Sequence, residues 1–202
     1  MKNLMRNFIS AAILVSGIFS VSAIAQTSKT AEEFPGVKIK NFGQMDSNYY
    51  RGGQPKEGDY QSLKGLGVTT VIDLRNDPTS YEKSASEALG MKYINIPMDD
   101  AEYPKEDSIA AFLKEINDPA NGVIYVHCKG GKHRAGVTGA VYRFTKYGWD
   151  YSQVMAEMNR FNFNTSWGRK VMKTYVEDYA KKMKQQNAAA AAGASAETVS
   201  AN

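Results

Sequence analysis

The run Val123-Ile124-Tyr125-Val126-His127-Cys128-Lys129-Gly130-Gly131-Lys132-His133-Arg134-Ala135-Gly136 holds the only cysteine and both histidines of the 202-residue chain. Its first four residues are apolar and mostly β-branched or aromatic, which reads as a buried strand. Ala135 to Tyr147 is helix-patterned. A strand feeding a glycine-bearing loop and then a helix N-terminus favours an anion, because unpaired N–H groups and the helix dipole face it there. Gly130 and Gly131 let the backbone curl so that successive N–H groups form a concave nest. Lys129, Lys132 and Arg134 add positive charge, and a guanidinium can grip two phosphoryl oxygens in parallel where an ammonium cannot. In such a loop Cys128 reads as a nucleophile, since the thiolate is the reactive form of the side chain. The alternative, an inert cysteine packed at a strand end, is disfavoured by two lysines and an arginine in the same loop.

Outward from this run the pattern alternates strand and helix. Val37 to Phe42 and Tyr49 to Arg51 read as a short β lead-in, with a turn at Gly52-Gly53-Gln54-Pro55. Val68 to Leu74, Met91 to Ile96 and Val123 to Val126 read as strands. Helical patterns cover Asp59 to Leu66, Tyr81 to Leu89, Asp107 to Ile116, Ala135 to Tyr147, Tyr151 to Phe161 and Gly168 to Lys184. The implied class is α/β: a mostly parallel central sheet of four to five strands flanked by helices on both faces, with ligand at the carboxyl ends of the strands.

His127-Cys128-x5-Arg134-x-Gly136 resembles the signature loop of the protein tyrosine phosphatase superfamily, and most closely its dual-specificity branch. Tyr50-Arg51-Gly52-Gly53-Gln54-Pro55, Val71-Ile72-Asp73-Leu74-Arg75 and Ile94 to Asp100 resemble that branch in the expected order, so the likeness spans roughly residues 36–180. The loop lysines are also similar to those of phosphoinositide phosphatases. The resemblance implies the cysteine-phosphatase fold, with Cys128 attacking phosphorus, Arg134 gripping the phosphoryl oxygens, and the loop residues Lys129, Gly130, Gly131, Lys132 and His133 binding phosphate. It implies a general acid on a loop preceding the cysteine. Asp99 and Asp100 both follow the apolar run Tyr93 to Met98, a strand running into a loop; the family pattern selects Asp100 over Asp99, and the alternative is that both are solvated turn acids. His127 is implied to support the loop by hydrogen-bonding its backbone. His133 reads either as a substrate contact or as a solvated side chain. No metal is expected, because His127 and Cys128 point apart on a strand and no further cysteine or histidine exists to complete a coordination sphere. No cofactor is expected. Arg75 reads as a mouth residue or, more commonly for such an arginine, as the partner of a nearby carboxylate, and Arg51 reads as structural.

The ends of the chain read differently. Lys2 and Arg6 precede a mainly apolar stretch from Phe8 to Phe19 and a small-x-small site at Ala23-Ile24-Ala25, the pattern of a cleaved export signal over residues 1–25. The stretch is short and broken by Ser10, Ser16 and Gly17, which disfavours the alternative of an uncleaved anchor. Cleavage would lower the formal charge from +4 to +2 by removing Lys2 and Arg6, with no acidic residue lost. That balance does not indicate a nucleic-acid partner. Residues 26–185 are expected as one domain, and 186–202 as a disordered alanine-rich tail without core-forming residues.

The expectation is a periplasmic or secreted phosphatase acting on phosphorylated protein, tyrosine first, or on a small anionic phosphate, through a phosphocysteine intermediate and without a membrane span after signal cleavage. The second reading is hydrolysis of inositol phosphates or phosphoinositides, for which Lys129, Lys132 and His133 supply charge. A third, a phosphate-binding pseudoenzyme, is motivated by Ala135, where the resembled family has Ser or Thr. That hydroxyl donates to the sulfur as it leaves phosphorus, and a hydrogen bond to a charged group contributes about 1.5–3 kcal/mol, roughly one to two orders of magnitude in rate. Ala135→Ser is therefore expected to raise turnover by about tenfold or more, and the native protein to show a stopped-flow burst of released alcohol. The absence of both would refute slow breakdown of the intermediate.

Overall fold

The computed structural model describes residues 27–164 and 170–200, with side chains described as far as 193. Among the described residues lies a mixed six-stranded sheet: β1 (Lys29–Thr30), β2 (Gly43–Asp46), β3 (Tyr49–Gly52), β4 (Thr70–Arg75), β5 (Lys92–Met98) and β6 (Ile124–His127), in the spatial order β1-β2-β3-β6-β4-β5. β3, β6, β4 and β5 are parallel; β1 and β2 extend the β3 edge in antiparallel fashion. The expected parallel core is present, and the sheet is one strand wider than expected. β1 is two residues long, too short to leave a period-2 signal, and β2 lies just after the stretch expected as the first strand.

Strand β6 sits between β3 and β4, pairing Gly52 and Asp73 with His127 on its two sides. Its four residues are all buried, as are all six of β4. Alternation sends Ile72, Leu74, Ile124 and Val126 to one face, against α3 (Glu106–Asn117), α4 (Arg134–Tyr147), α5 (Tyr151–Arg160) and α6 (Lys170–Ser200). Val71 and Tyr125 go to the other face, with Tyr60 and Leu63 of α1 (Tyr60–Gly65), close to α2 (Glu82–Ala88). Helix α4 follows the catalytic-loop sequence directly and is buried from Arg134 through Phe144, so the end of β6 and the start of α4 are both fixed by the core.

Two local expectations change. Val37 to Phe42 is not a strand: Asn41 takes φ +55°, which interrupts extension, and pairing begins at Gly43. The Ala-rich tail is not irregular: α6 continues to Ser200. Alanine is the best helix former, and the helix is already nucleated by its docked first half (Met172, Tyr175, Val176), so propagation needs no core contact even though residues 184–193 are exposed. The residues of the expected export signal lie outside the described part. From Ser28 onward the chain belongs to the fold: Ser28 is buried, donates to Glu157, accepts from Arg143 Nη2 at 3.1 Å, and its carbonyl accepts from Arg160 Nη2 at 2.9 Å. Arg143 and Glu157, paired at 2.7 Å, thus lock the N-terminal segment to α4 and α5. No helix among the described residues is long and apolar enough to cross a membrane.

Candidate active site

The loop between β6 and α4 runs over the carboxyl end of the central strand, beside the turn that follows β3. Gly131 has φ +67°, and a Cβ there would lie 2.4 Å from the Gly52 carbonyl carbon and 2.5 Å from the Gly53 nitrogen. Both the backbone conformation and the backbone contact therefore require glycine. The Gly131 carbonyl accepts from Arg51 Nη2 at 2.6 Å and from Asn41 Nδ2 at 2.8 Å, and the Lys129 carbonyl accepts from Gln54 N at 3.3 Å. A trans peptide places N–H opposite C=O. Holding these two carbonyls outward thus turns the N–H groups of Gly130 and Lys132 away from Arg51, Asn41 and Gln54. Arg51 is itself fully buried, with its guanidinium 4.3 Å from the Phe161 ring centre, so it is a fixed post for the loop.

A cleft of about 260 Å³ is lined by Cys128, Lys129, Gly130, Lys132, His133, Arg134 and Asp100. The structure therefore brings together every residue expected at the site except Gly131 and His127, which stand behind it. Cys128 is a free, buried cysteine and, like Ala135, belongs to the main core cluster. Arg134 is 4% exposed; its Nη1 donates to the Met98 carbonyl at 3.0 Å and to Asn76 Oδ1 at 3.3 Å, while its buried Nε has no hydrogen-bond partner. Met98 ends β5 immediately before the two aspartates, so Arg134 ties the acid loop to the cysteine loop. Asp99 is occupied in turn formation: its carboxylate accepts from Ala101 N at 2.8 Å and Asn76 Nδ2 at 3.1 Å. Asp100, not Asp99, lines the cleft with the sulfur. The His133 ring lies 2.9 Å, through Nε2, from the Asn164 carbonyl and edge-on to Phe163.

His127 departs from its expected role. Its ring lies on the opposite face of the sheet, stacked on Tyr125, and neither ring nitrogen hydrogen-bonds the loop. Nε2 is 2.9 Å from Glu82 Oε2 and Nδ1 is 3.8 Å from Asp73 Oδ1, neither as a well-aligned hydrogen bond. The physical reason is the strand's alternation: Cys128 faces the α4 side, so its neighbour faces α2. Burial pushes the Asp73 carboxyl above its ordinary value, offset only partly by His127. Burial penalises Glu82 as well, yet His127 and the hydroxyls of Thr79 and Tyr60 together hold it below the usual range. The task expected of His127 falls to Arg51 and Asn41. Asp73, Glu82 and His127 are close enough together to hold a metal ion. Tyr60, Thr79, Tyr93 and the Arg75 N–H already hydrogen-bond the two carboxylates, which makes this a packed polar cluster. Arg75 pairs with Asp77 at 2.9 Å and lies 3.7 Å from Glu82, as a carboxylate-paired arginine.

A sequence-family model described as the tyrosine phosphatase family matches residues 36–196. The chain belongs to the tyrosine phosphatase family. A probable tyrosine-protein phosphatase of Dictyostelium discoideum is 29% identical over 127 residues, covering 60% of this chain and 75% of that protein. An inositol diphosphatase of Oryza sativa subsp. japonica is 30% identical over 129 residues, 60% of this chain and 56% of the rice protein. Dual specificity protein phosphatase TpbA of Pseudomonas aeruginosa is 27% identical over 130 residues, 61% of this chain and 55% of that one. The chain thus spans little more than half of the rice and Pseudomonas relatives. A crystal structure of P. aeruginosa TpbA superposes with a TM-score of 0.63 at 21% identity, covering 76% of this chain and 90% of that one. The fold is the cysteine-phosphatase α/β fold, the chain is similar to the dual-specificity branch, and it is a phosphatase.

Gly131→Ala tests the loop geometry, since a misplacement of about 1 Å costs about 10²-fold in rate. It is expected to lower kcat/KM by that order while circular dichroism stays native. Gly130→Ala, whose Cβ would meet only Lys132 Cγ at 4.0 Å, is expected to cost far less. Equal effects from the two would contradict the assigned role of the Gly131 carbonyl.

Proposed function

We propose that this phosphatase is exported and hydrolyses phosphomonoesters on protein side chains, phosphotyrosine first, through a phosphocysteine intermediate. The observation that carries the reading is the placement of Cys128, Arg134 and Asp100 on one small cleft. Cys128 sulfur attacks phosphorus and the P–O bond to the alcohol breaks. Asp100, as the protonated acid, gives its proton to the leaving oxygen. Water then attacks the same phosphorus, Asp100 as carboxylate takes its proton, and the S–P bond breaks to release phosphate and restore the sulfur. Arg134 and the loop N–H groups stabilise the equatorial oxygens, whose charge is concentrated in both transition states. Export is supported by the signal pattern of residues 1–25.

A second substrate reading, inositol phosphates, is favoured by Lys129, Lys132 and His133 on the same cleft and by the rice relative named an inositol diphosphatase. Phosphate release from a phosphotyrosine peptide and from inositol hexakisphosphate, measured in parallel, separates the two. Cys128→Ser is expected to abolish release on both. Asp100→Asn is expected to lower kcat by about 10²-fold, against little change for Asp99→Asn. A faster native reaction on the peptide supports the first reading; a selective loss on the inositol substrate in Lys132→Ala supports the second. Release that persists in Cys128→Ser would contradict both.

A further inference from the structure

Just beyond β4 the chain sets one polar side chain, Asn76, against both halves of the catalytic machinery. Its Oδ1 accepts from Arg134 Nη1 at 3.3 Å, and its Nδ2 donates to Asp99 Oδ2 at 3.1 Å. The orientation of the amide follows from these partners, since a guanidinium only donates and a carboxylate only accepts. The second hydrogen of Nη1 goes to the Met98 carbonyl at 3.0 Å. Both hydrogens of that nitrogen are thus committed within the protein, which leaves Nε and Nη2 as the fork for two phosphoryl oxygens. Asp99 passes the constraint on. Its Oδ1 accepts from Ala101 N at 2.8 Å and so closes the turn that has Asp100 at its middle.

An irregularity in the sheet brings Asn76 to this place. Asp73 pairs with Asn95, but Arg75 pairs with Met98, so β5 carries one more residue than β4 over the same span. This bulge advances the acid loop by one position and sets Asp99, rather than Met98, opposite Asn76. The flanking backbone is held from both sides. Asn95 Nδ2 donates to the Asp73 and Arg75 carbonyls, each at 2.9 Å, and the buried Arg75 grips Asp77 at 2.9 Å across Asn76. Asn76 is itself exposed, so its bonds and not core packing define its role. A side-chain amide suits that role because it offers a donor and an acceptor on one plane. An aspartate there would accept from Arg134 but set a like charge against Asp99.

We propose that Asn76 is a positioning residue for proton transfer, coupling the guanidinium that grips the phosphoryl group to the turn that carries the general acid. The proposal rests on the roles of Cys128, Arg134 and Asp100 in the phosphatase reading and deepens it. Asn76 acts through Arg134 and Asp99: with the arginine seated on an ester, the Asp100 carboxyl is held in line with the leaving oxygen of that same ester.

The test is kcat/KM on two aryl esters: phenyl phosphate, whose leaving oxygen needs a proton, and dinitrophenyl phosphate, whose leaving group departs as a stable anion. This ratio reports the steps through P–O cleavage and is blind to breakdown of the phosphocysteine. Asn76→Ala is expected to forfeit part of the roughly 10²–10⁴-fold contribution of a general acid, lowering kcat/KM about tenfold on phenyl phosphate and less than about twofold on the dinitrophenyl ester. Asn76→Asp, which keeps the acceptor for Arg134, is expected to lose at least as much on phenyl phosphate and to spare the dinitrophenyl ester. Asp99→Ala is expected to match Asn76→Ala, and the double variant to be no worse than either alone, as for residues acting in one chain of contacts. Asp99→Asn preserves the link, because the introduced amide can donate to Asn76 Oδ1 while its oxygen still accepts from Ala101 N, so its effect stays small on both esters. Equal losses on the two esters would assign Asn76 to Arg134 or to the fold alone and overturn the proposal. Unchanged rates on both, or additive losses in the double variant, would overturn it too. Failure of the native protein to hydrolyse either ester would remove the phosphatase reading; native turnover that ignores Asn76 removes the proposal only.

Discussion

The capture of one carbonyl organises this site. Gly131 C=O is held by a buried guanidinium and a side-chain amide, from Arg51 and Asn41. With that oxygen and the Lys129 oxygen turned to the scaffold, peptide planarity commits the intervening N–H groups to the other side. A loop of this length could otherwise satisfy its own polar groups and close on itself. A buried, fully charged donor makes that collapse unfavourable, because Arg51 would lose its partner inside the core, and an unsatisfied buried charged donor is costly.

The fold provides the rest through proximity to the central strand. β6 delivers Cys128 at its carboxyl end, α4 begins at Arg134 in the core, and β5 ends at Met98, whose carbonyl Arg134 holds. The acid loop and the nucleophile loop are thereby joined by the same residue that would grip the phosphoryl group. The buried Nε of Arg134 lacks a hydrogen-bond partner, a state that an anion in the cleft would relieve. Behind the strand, His127 meets Glu82 and Asp73, which anchors the other face of the sheet rather than the loop.

What was legible in the sequence was what is local in the chain. Cys128 to Arg134 is a single contiguous segment with its own residue chemistry, and the strand before it and helix after it carry clear periodicities, so both the site and the α/β class could be read. Arg51 and Asn41 lie 80 and 90 residues from Gly131, and no spacing rule links them to it. The direction of His127 follows from strand alternation, which places it away from the loop. Choosing between Asp99 and Asp100 from the residues alone needed the turn geometry that occupies Asp99. The Ala-rich end lacks core residues, which argued for disorder, whereas helix propensity extending an already docked helix decides its form.

A crystal structure with vanadate bound is the most direct measurement of the central geometry. Vanadium is expected bonded to Cys128 Sγ, with its equatorial oxygens on the loop N–H groups of Gly130 and Lys132 and on two nitrogens of Arg134, including Nε, and with Gly131 C=O still on Arg51. Vanadate seated elsewhere, or seated over the sulfur with Gly131 C=O turned into the cleft and Arg51 released, would contradict it.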